Sequence, residues 1–184
     1  MLFDKIRIKI NEKKYLKYLN THRAAVQEAL TELVMCSELS YLWEDEEFYN
    51  KLIDRIKTHD ASKYGLQEFN AYRKYYYPIN MKEFDIKEFQ EAWENHWQNN
   101  DHHWQNRQNN TEFTEETKLA ILENVCDWLA MGYMFKDRPL EYYCDNMEEI
   151  TLPKEDLKFL VYIIKALEKN KDSEWYNLGA YLYK

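Results

Sequence analysis

Three glycines and three prolines are all the punctuation in 184 residues. A turn-rich β fold needs a breaker at most of its reversals, whereas breakers weaken helices, so their scarcity favours a chain of helices. The chain is 45% hydrophobic and 16% aromatic, with 16 Tyr, 8 Phe and 6 Trp, which is ample apolar surface for a core. No repeat, low-complexity tract or Gly/Ser/Pro-rich linker marks an internal boundary, and this length suits one domain. The expected architecture is an all-α, single-domain helical bundle over residues 1–184.

Apolar spacing predicts the elements. A helix follows Asn20 or Thr21 and runs to about Trp43, with Ala25, Val26, Ala29, Leu30, Leu33 and Val34 on one face. Others are expected over 46–58, over 85–98, and from Thr114 to Phe135, the last with Glu115 and Glu116 favouring the dipole but no capping box between Thr114 and Thr117. An aromatic segment, Phe69, Tyr72, Tyr75, Tyr76 and Tyr77, is stopped by Pro78. Pro153 opens a helix through Lys169, and a short C-terminal one holds Trp175, Leu178 and Tyr181, so that 153–184 completes the bundle. The alternation of Ile6, Ile8 and Ile10 is the only plausible strand.

A formal charge of -8, from 33 acidic and 25 basic residues, weighs against duplex nucleic acid as a partner, because phosphate neutralisation needs a basic surface. A small anion can still be held where positive charge is local. The one basic concentration, Lys5, Arg7, Lys9, Lys13, Lys14 and Lys17, reads as a solvated face. Cys36, Cys126 and Cys144 are odd in number and far apart, with no C-x-x-C pair, so neither a disulfide framework nor a thiolate zinc site is expected. The N-terminus MLFDKIRIKI lacks the apolar region of a signal peptide, and Phe159 to Leu167, broken by Lys165, is too short to span a bilayer. The expectation is a cytoplasmic protein without a membrane partner; nothing in the sequence argues against a homo-oligomer.

Chemistry-bearing residues sit on apolar faces. His22 lies on the buried stripe of its helix, where a lone histidine is more often a hydrogen-bonded core residue than a ligand. His59 falls seven residues after Leu52 and Asp60 seven after Ile53, so both continue the core face of the second helix. An ionised carboxylate there is costly unless paired or coordinated. Lys63, three residues after Asp60, projects from the same side, as an ion pair or toward a substrate. Asp127 is the single charge in Val125 to Met131, and Glu123 and Asn124 mark the polar side of that helix, so burial near a cation is the favoured reading. His96 shares a face with Phe89 and Trp93, while His102 and His103 follow the break Asn99-Asn100-Asp101; on one helix His96 and His103 would stand roughly 10 Å apart. One explanation serves the whole set: imidazoles and carboxylates meeting on a divalent metal.

The chain order His22, His59-Asp60, His96, His102-His103, Asp127 resembles the H…HD…H…H…D pattern of the HD-domain superfamily of metal-dependent phosphohydrolases. His59-Asp60-Ala61-Ser62-Lys63 is similar to the HDAS-E of bacterial deoxynucleotidases, with Lys63 in place of glutamate, and to the HD-x-x-K of cyclic-dinucleotide phosphodiesterases. The chain also resembles an uncharacterised family of phage and bacterial proteins through His22-Arg23-Ala24, HDASKY, Ala92-Trp93 with His96, His102-His103, and Asp127-Trp128 with Met131-Gly132, spanning about 21–132. The resemblance implies an HD-like helical fold and a first metal on His22, His59, Asp60 and Asp127. It implies a second metal bridged by Asp60 and held by His96 and by His102 or His103, and a substrate phosphate contacted by Lys63. The metal would be manganese, iron, magnesium or zinc, one ion or two, acting with Asp60 and Lys63 on a nucleotide or similar phosphate ester in the cytoplasm, the host's if the chain is phage-encoded. Arg23 and Arg73 are candidate phosphate contacts, each equally readable as a surface ion pair. Trp93, Trp97, Trp104 and Trp128 could stack a base, but core packing is the commoner use. Two competing expectations are a diiron oxygenase on the same ligands and a non-catalytic, metal-stabilised binding protein.

Overall fold

Helix formation begins where the strand was expected. In the computed structural model, which describes residues 2–170, α1 (Leu2–Met35) runs unbroken through the Ile6/Ile8/Ile10 alternation. An isolated alternating segment has no partner strand to satisfy its backbone, whereas a helix satisfies it internally. The buried positions of this stretch follow a helical stripe, Tyr15, Leu19 and His22, while Ile6 and Ile10 are exposed. All six basic residues of that stretch are exposed, as a solvated face requires. The helix also ends earlier than expected, at Met35, and a 3-10 helix covers Ser37–Trp43.

There follow α2 (Glu46–Thr58), a 3-10 turn at Ala61–Tyr64, α3 (Leu66–Tyr76), α4 (Ile86–Asn99), α5 (Trp104–Arg107), α6 (Glu115–Phe135), α7 (Pro139–Asn146) and α8 (Lys154–Lys169). The described residues contain no strand, so the fold is all-α. The helix expected around Trp175, Leu178 and Tyr181 lies outside the described residues. Local chemistry explains several boundaries. Asp85 caps α4 by accepting from the amides of Lys87 and Glu88. Thr114 and Thr117 form the capping box that the sequence reading denied them: each hydroxyl accepts from the other's backbone amide, at 3.3 and 3.2 Å. A threonine at the third position thus does the work usually given to glutamate or glutamine. α6 ends on Lys136 in the left-handed conformation, and a side chain at Gly132 would run into the Asp137 carbonyl oxygen.

The contacts divide the chain into two helical units, one of residues 1–21 and 60–100, the other of 22–59 and 101–184. The larger unit has an aliphatic core: Ala25, Val26 and Leu33 of α1, Leu52 and Ile56 of α2, Leu122, Val125 and Leu129 of α6, and Leu160, Ile163 and Leu167 of α8. Within it α6 packs against α2, α7 and α8, which is why its apolar residues run nearly all the way round. Buried charge in this unit is paired: Asp156 accepts from both Nε and Nη2 of Arg107 at 2.8 and 2.7 Å, and Glu32 takes a hydrogen bond from the Tyr133 hydroxyl and one from Arg138.

The smaller unit has an aromatic core: Tyr15, Leu19, Ala71, Tyr72 and Ala92, with Phe69, Tyr77, Phe89 and Trp93 against them. α3 packs on α4. Arg73 forms two 2.7 Å hydrogen bonds to Glu83, which also accepts from the amide of Ile79, so this pair fixes the chain between the two helices. Hydrogen bonds from Arg73 hold the Glu83 carboxyl below its ordinary value of 4.5. A depressed folded pKa gives stability that is complete above the unfolded value and is lost as pH falls through the folded one. Urea denaturation should therefore find Glu83→Gln less stable than wild type at pH 7, with the gap closing below about pH 4.5. A gap of constant size down to pH 3 would show that the carboxylate's charge is irrelevant.

Candidate metal centre

All five histidines are buried, His96 completely and the most open, His103, to 8% exposure. They do not, however, ride simply on helix faces. α2 stops at Thr58, His59 leaves it with an extended backbone, and Asp60 takes a left-handed conformation at φ 56°. The expectation that His59 and Asp60 continue the core face of that helix is therefore wrong. They are presented by a strained turn, of the kind that persists only where surrounding contacts over-determine it. The guanidinium of Arg23 steadies that turn by donating to the carbonyl of Lys57 in the last turn of α2. Arg23 is in this way a helix-capping residue.

In the larger unit His22 from α1, His59 from the end of α2, His102 from the segment before α5, and Glu123 and Asp127 from α6 converge. His22 Nε2 lies 3.1 Å and His59 Nε2 3.8 Å from the same oxygen of Asp127. The rings of His59 and His102 stand 4.6 Å apart, and His59, His102 and Asp127 each offer a ligand atom within 4.8 Å of the others. Glu123 was read from sequence as marking the polar side of α6. Its side chain is 6% exposed, against 16% for that of Asp127, and it contacts several members of the cluster. Its Oε1 accepts from Nδ1 of His59 at 2.9 Å and lies 3.2 Å from Nδ1 of His102, while its Oε2 accepts from Arg55 Nε at 2.9 Å. Arg55 is itself tied to Asp101.

The electrostatics follow. Burial opposes the ionisation of Glu123, yet hydrogen bonds from His102 and His59 outweigh it and hold the carboxyl far below its usual range. The same balance, with His22 and His59 as donors, keeps Asp127 well below the ordinary value. Burial, and then the neighbouring carboxylates, push the Cys126 thiol the other way; the groups that could hold an ion offer imidazole nitrogens and carboxylate oxygens. A neutral imidazole that gives its Nδ1–H to Glu123 has Nε2 as its lone-pair nitrogen, the tautomer in which histidine binds metal. Imidazole nitrogens with one carboxylate fit a borderline divalent ion.

The smaller unit gathers a second group. His96 Nε2 lies 3.0 Å from Asp60 Oδ1, and its Nδ1 lies 2.8 Å from Glu68 Oε2. Lys63 Nζ donates to Asp60 Oδ2 at 2.7 Å. Glu68 thus stands to His96 as Glu123 stands to His59. An open groove of about 500 Å³ reaches this carboxylate, lined by Ser62, Gly65, Gln67, Asn95 and Asn99. Of the other residues singled out in the sequence, His103 packs its ring 4.2 Å from that of His102. Arg73, the other candidate phosphate contact, directs both Nη atoms to Glu83 and is 3% exposed, the ion-pair alternative given for it, here buried. Glu123 and Glu68 are the buried carboxylates of these two clusters that the sequence-based site did not include. The available signal was their placement four residues before Asp127 and eight after Asp60 on apolar-rich stretches.

Residues 11–169 match the model of a protein family whose description is a family of unknown function, DUF5662. No curated protein and no solved structure matches the chain.

Proposed function

The chain belongs to the DUF5662 family, and from the two histidine–carboxylate groups it carries we propose that it is an HD-type, metal-dependent phosphohydrolase acting on a nucleotide or related phosphate ester. The observation that carries this reading is the carboxylate of Glu123, which takes Nδ1 of both His59 and His102 and so fixes two imidazoles for a metal beside Asp127. His22, His59, His102 and Asp127 would hold one divalent ion; Asp60 and His96 would contribute ligands to a second. When bound, such an ion supplies Lewis acidity and a water of lowered pKa. The chain's own part is to orient and to neutralise. Asp60 holds the Lys63 ammonium at 2.7 Å, and that charge is offered to a phosphoryl oxygen. Glu68 fixes the ring of His96 from its far side.

Elemental mass spectrometry of the wild-type protein beside Asp127→Ala and Asp60→Ala tests this reading. About one or two transition-metal equivalents are expected in the wild type and less in each variant. Anaerobic hydrolysis of a nucleotide panel with manganese should then follow metal content. An iron-loaded protein that turns over only with oxygen would make it an oxygenase. A wild type that retains no manganese, iron or zinc after incubation would leave a binding protein.

A further inference from the structure

One exposed face of the smaller unit has no use in the site as described. Along the first turns of α1, Leu2 and Phe3 are 70% and 80% exposed, and Ile6 and Ile10 are each 47% exposed. At about 100° per residue these four fall within about 100° of the helix circumference, a continuous apolar stripe. Tyr15 and Leu19, by which α1 enters the aromatic core, lie on the opposite side. Asn11 stands toward that packed side too, and donates to the carbonyls of Tyr77 and Pro78. The stripe therefore faces away from the protein. Exposed apolar residues scattered singly need no explanation, but four in one stripe, on a helix already packed on its other side, mark a docking surface.

The charges around the stripe indicate what it docks on. Lys5 and Lys9 run along one border and Arg7 and Lys14 along the other, while Lys13 and Lys17 take up the stripe where its apolar residues end; all six are exposed. The two acidic residues of this stretch, Asp4 and Glu12, fall toward the packed side. Residues 2–17 thus hold six basic residues against two acidic ones, a local charge of +4, and the remaining 19 basic and 31 acidic residues carry -12. Cations that border an apolar stripe can rest on anionic groups while their alkyl stems follow the apolar surface. Such a face on an otherwise acidic molecule also has one favoured orientation toward a negative surface, stripe first, with the acidic remainder turned away. A second copy docked through the same face would bring two sets of six cations together, which opposes self-association there.

We infer that the outer face of α1 between Leu2 and Lys17 docks on an anionic lipid surface, with Leu2, Phe3, Ile6 and Ile10 at the acyl boundary and the bordering cations on the headgroups. The expectation of no membrane partner rested on the lack of a spanning segment and of a signal peptide. A helix lying in the plane of the surface needs neither, and no described helix is long and apolar enough to cross a membrane. Reading the six cations as a solvated face accounts for their exposure but leaves the apolar residues between them unexplained. The inference is independent of the metal reading.

The test uses the full chain as wild type, as Phe3→Ser with Ile6→Ser, and as Lys9→Glu with Lys13→Glu. Each is mixed with vesicles of phosphatidylcholine alone or of equimolar phosphatidylcholine and phosphatidylglycerol, and the bound fraction is read by flotation at low and at high salt. Melting temperature and light-scattering mass are measured without vesicles. Wild type should bind the mixed vesicles, leave the neutral ones, and dissociate as salt is raised. Each pair of substitutions should weaken binding to the mixed vesicles by at least about tenfold. Melting temperature should not change, since all four positions are exposed; were it to fall, Ile10→Ser and Lys5→Glu put the same question at neighbouring positions. A monomeric wild type that leaves both kinds of vesicle, or equal binding by all three proteins, overturns the inference. Loss in the lysine variant alone would show adsorption by charge without the stripe, and overturns it too. A wild type that scatters as a dimer, with a monomeric Phe3/Ile6 variant, would assign the stripe to a second copy and end the lipid reading.

Discussion

On the metal-binding reading proposed above, Glu123→Gln should lower metal retention sharply while leaving the protein folded. The carboxylate takes Nδ1 of two imidazoles and the Nε–H of Arg55, three donors on two oxygens. Glutamine keeps the volume but offers one acceptor oxygen and turns an amide, itself a donor, toward at least one of the three. One imidazole then loses its fixed tautomer and ring orientation, and removal of such an outer carboxylate typically costs 10–100-fold in metal affinity. Glu123→Ala should do the same and lose about 2–3 kcal/mol of stability besides, since it leaves Arg55 short of a partner that burial makes worth having. Arg55 is 22% exposed and keeps Asp101, so the loss should fall short of that for a fully buried pair. Competition of the loaded protein with a chelator reads the first effect and thermal denaturation the second. Unchanged metal retention in Glu123→Gln would mean that this carboxylate is only a core ion pair.

Asp156→Ala should produce the largest loss of stability of any single change discussed. Asp156 is fully buried, and Arg107, at 5% exposure, points both Nε and Nη2 at one of its oxygens. Removing the acid strands a guanidinium in an apolar environment, at a cost of about 3–5 kcal/mol, or roughly 10 °C or more in melting temperature for a chain of this size. Removing both charges, as in Arg107→Met with Asp156→Leu, should recover most of that loss, because what destabilises is the uncompensated charge and not the absence of the bridge. The comparison of single with double variant decides the matter: equal losses would show that the pair is worth its own attraction. Metal content should survive in both, as neither residue belongs to the histidine cluster.

Helix content was legible because it depended on features local to the chain, few breakers and regular apolar spacing. α2, α4, α6 and α8 fall close to their expected bounds for that reason. The N-terminal segment was misread because three alternating isoleucines satisfy a period of two and also lie on a helix. Only the stripe Tyr15, Leu19 and His22 downstream chooses between them, and its significance depends on what packs there. The site was legible as a set of residue types: an acid beside an imidazole at the end of an apolar run demanded compensation. What supplied the compensation was not. Glu123 looked like the solvated side of α6 because a helix buried on every side has no polar face, and burial on every side is a property of the neighbours. Arg73 shows the converse, a residue whose charge suited a ligand until a glutamate ten positions later claimed it.

The division of the chain into interleaved stretches also has a consequence for its synthesis. Everything the smaller unit needs has left the ribosome by Asn100, so its aromatic core can close early. The stretch from His22 to His59 belongs to the other unit, and its apolar stripe has to wait for α6 and α8. For the time it takes to translate some hundred further residues, Ala25, Leu33, Leu52 and Ile56 face water or a chaperone. Three of the histidines and Asp127 come together only after that wait. The nascent chain is therefore most exposed to aggregation midway through translation, and a slowly translated message would lengthen that interval and lower the yield of folded protein.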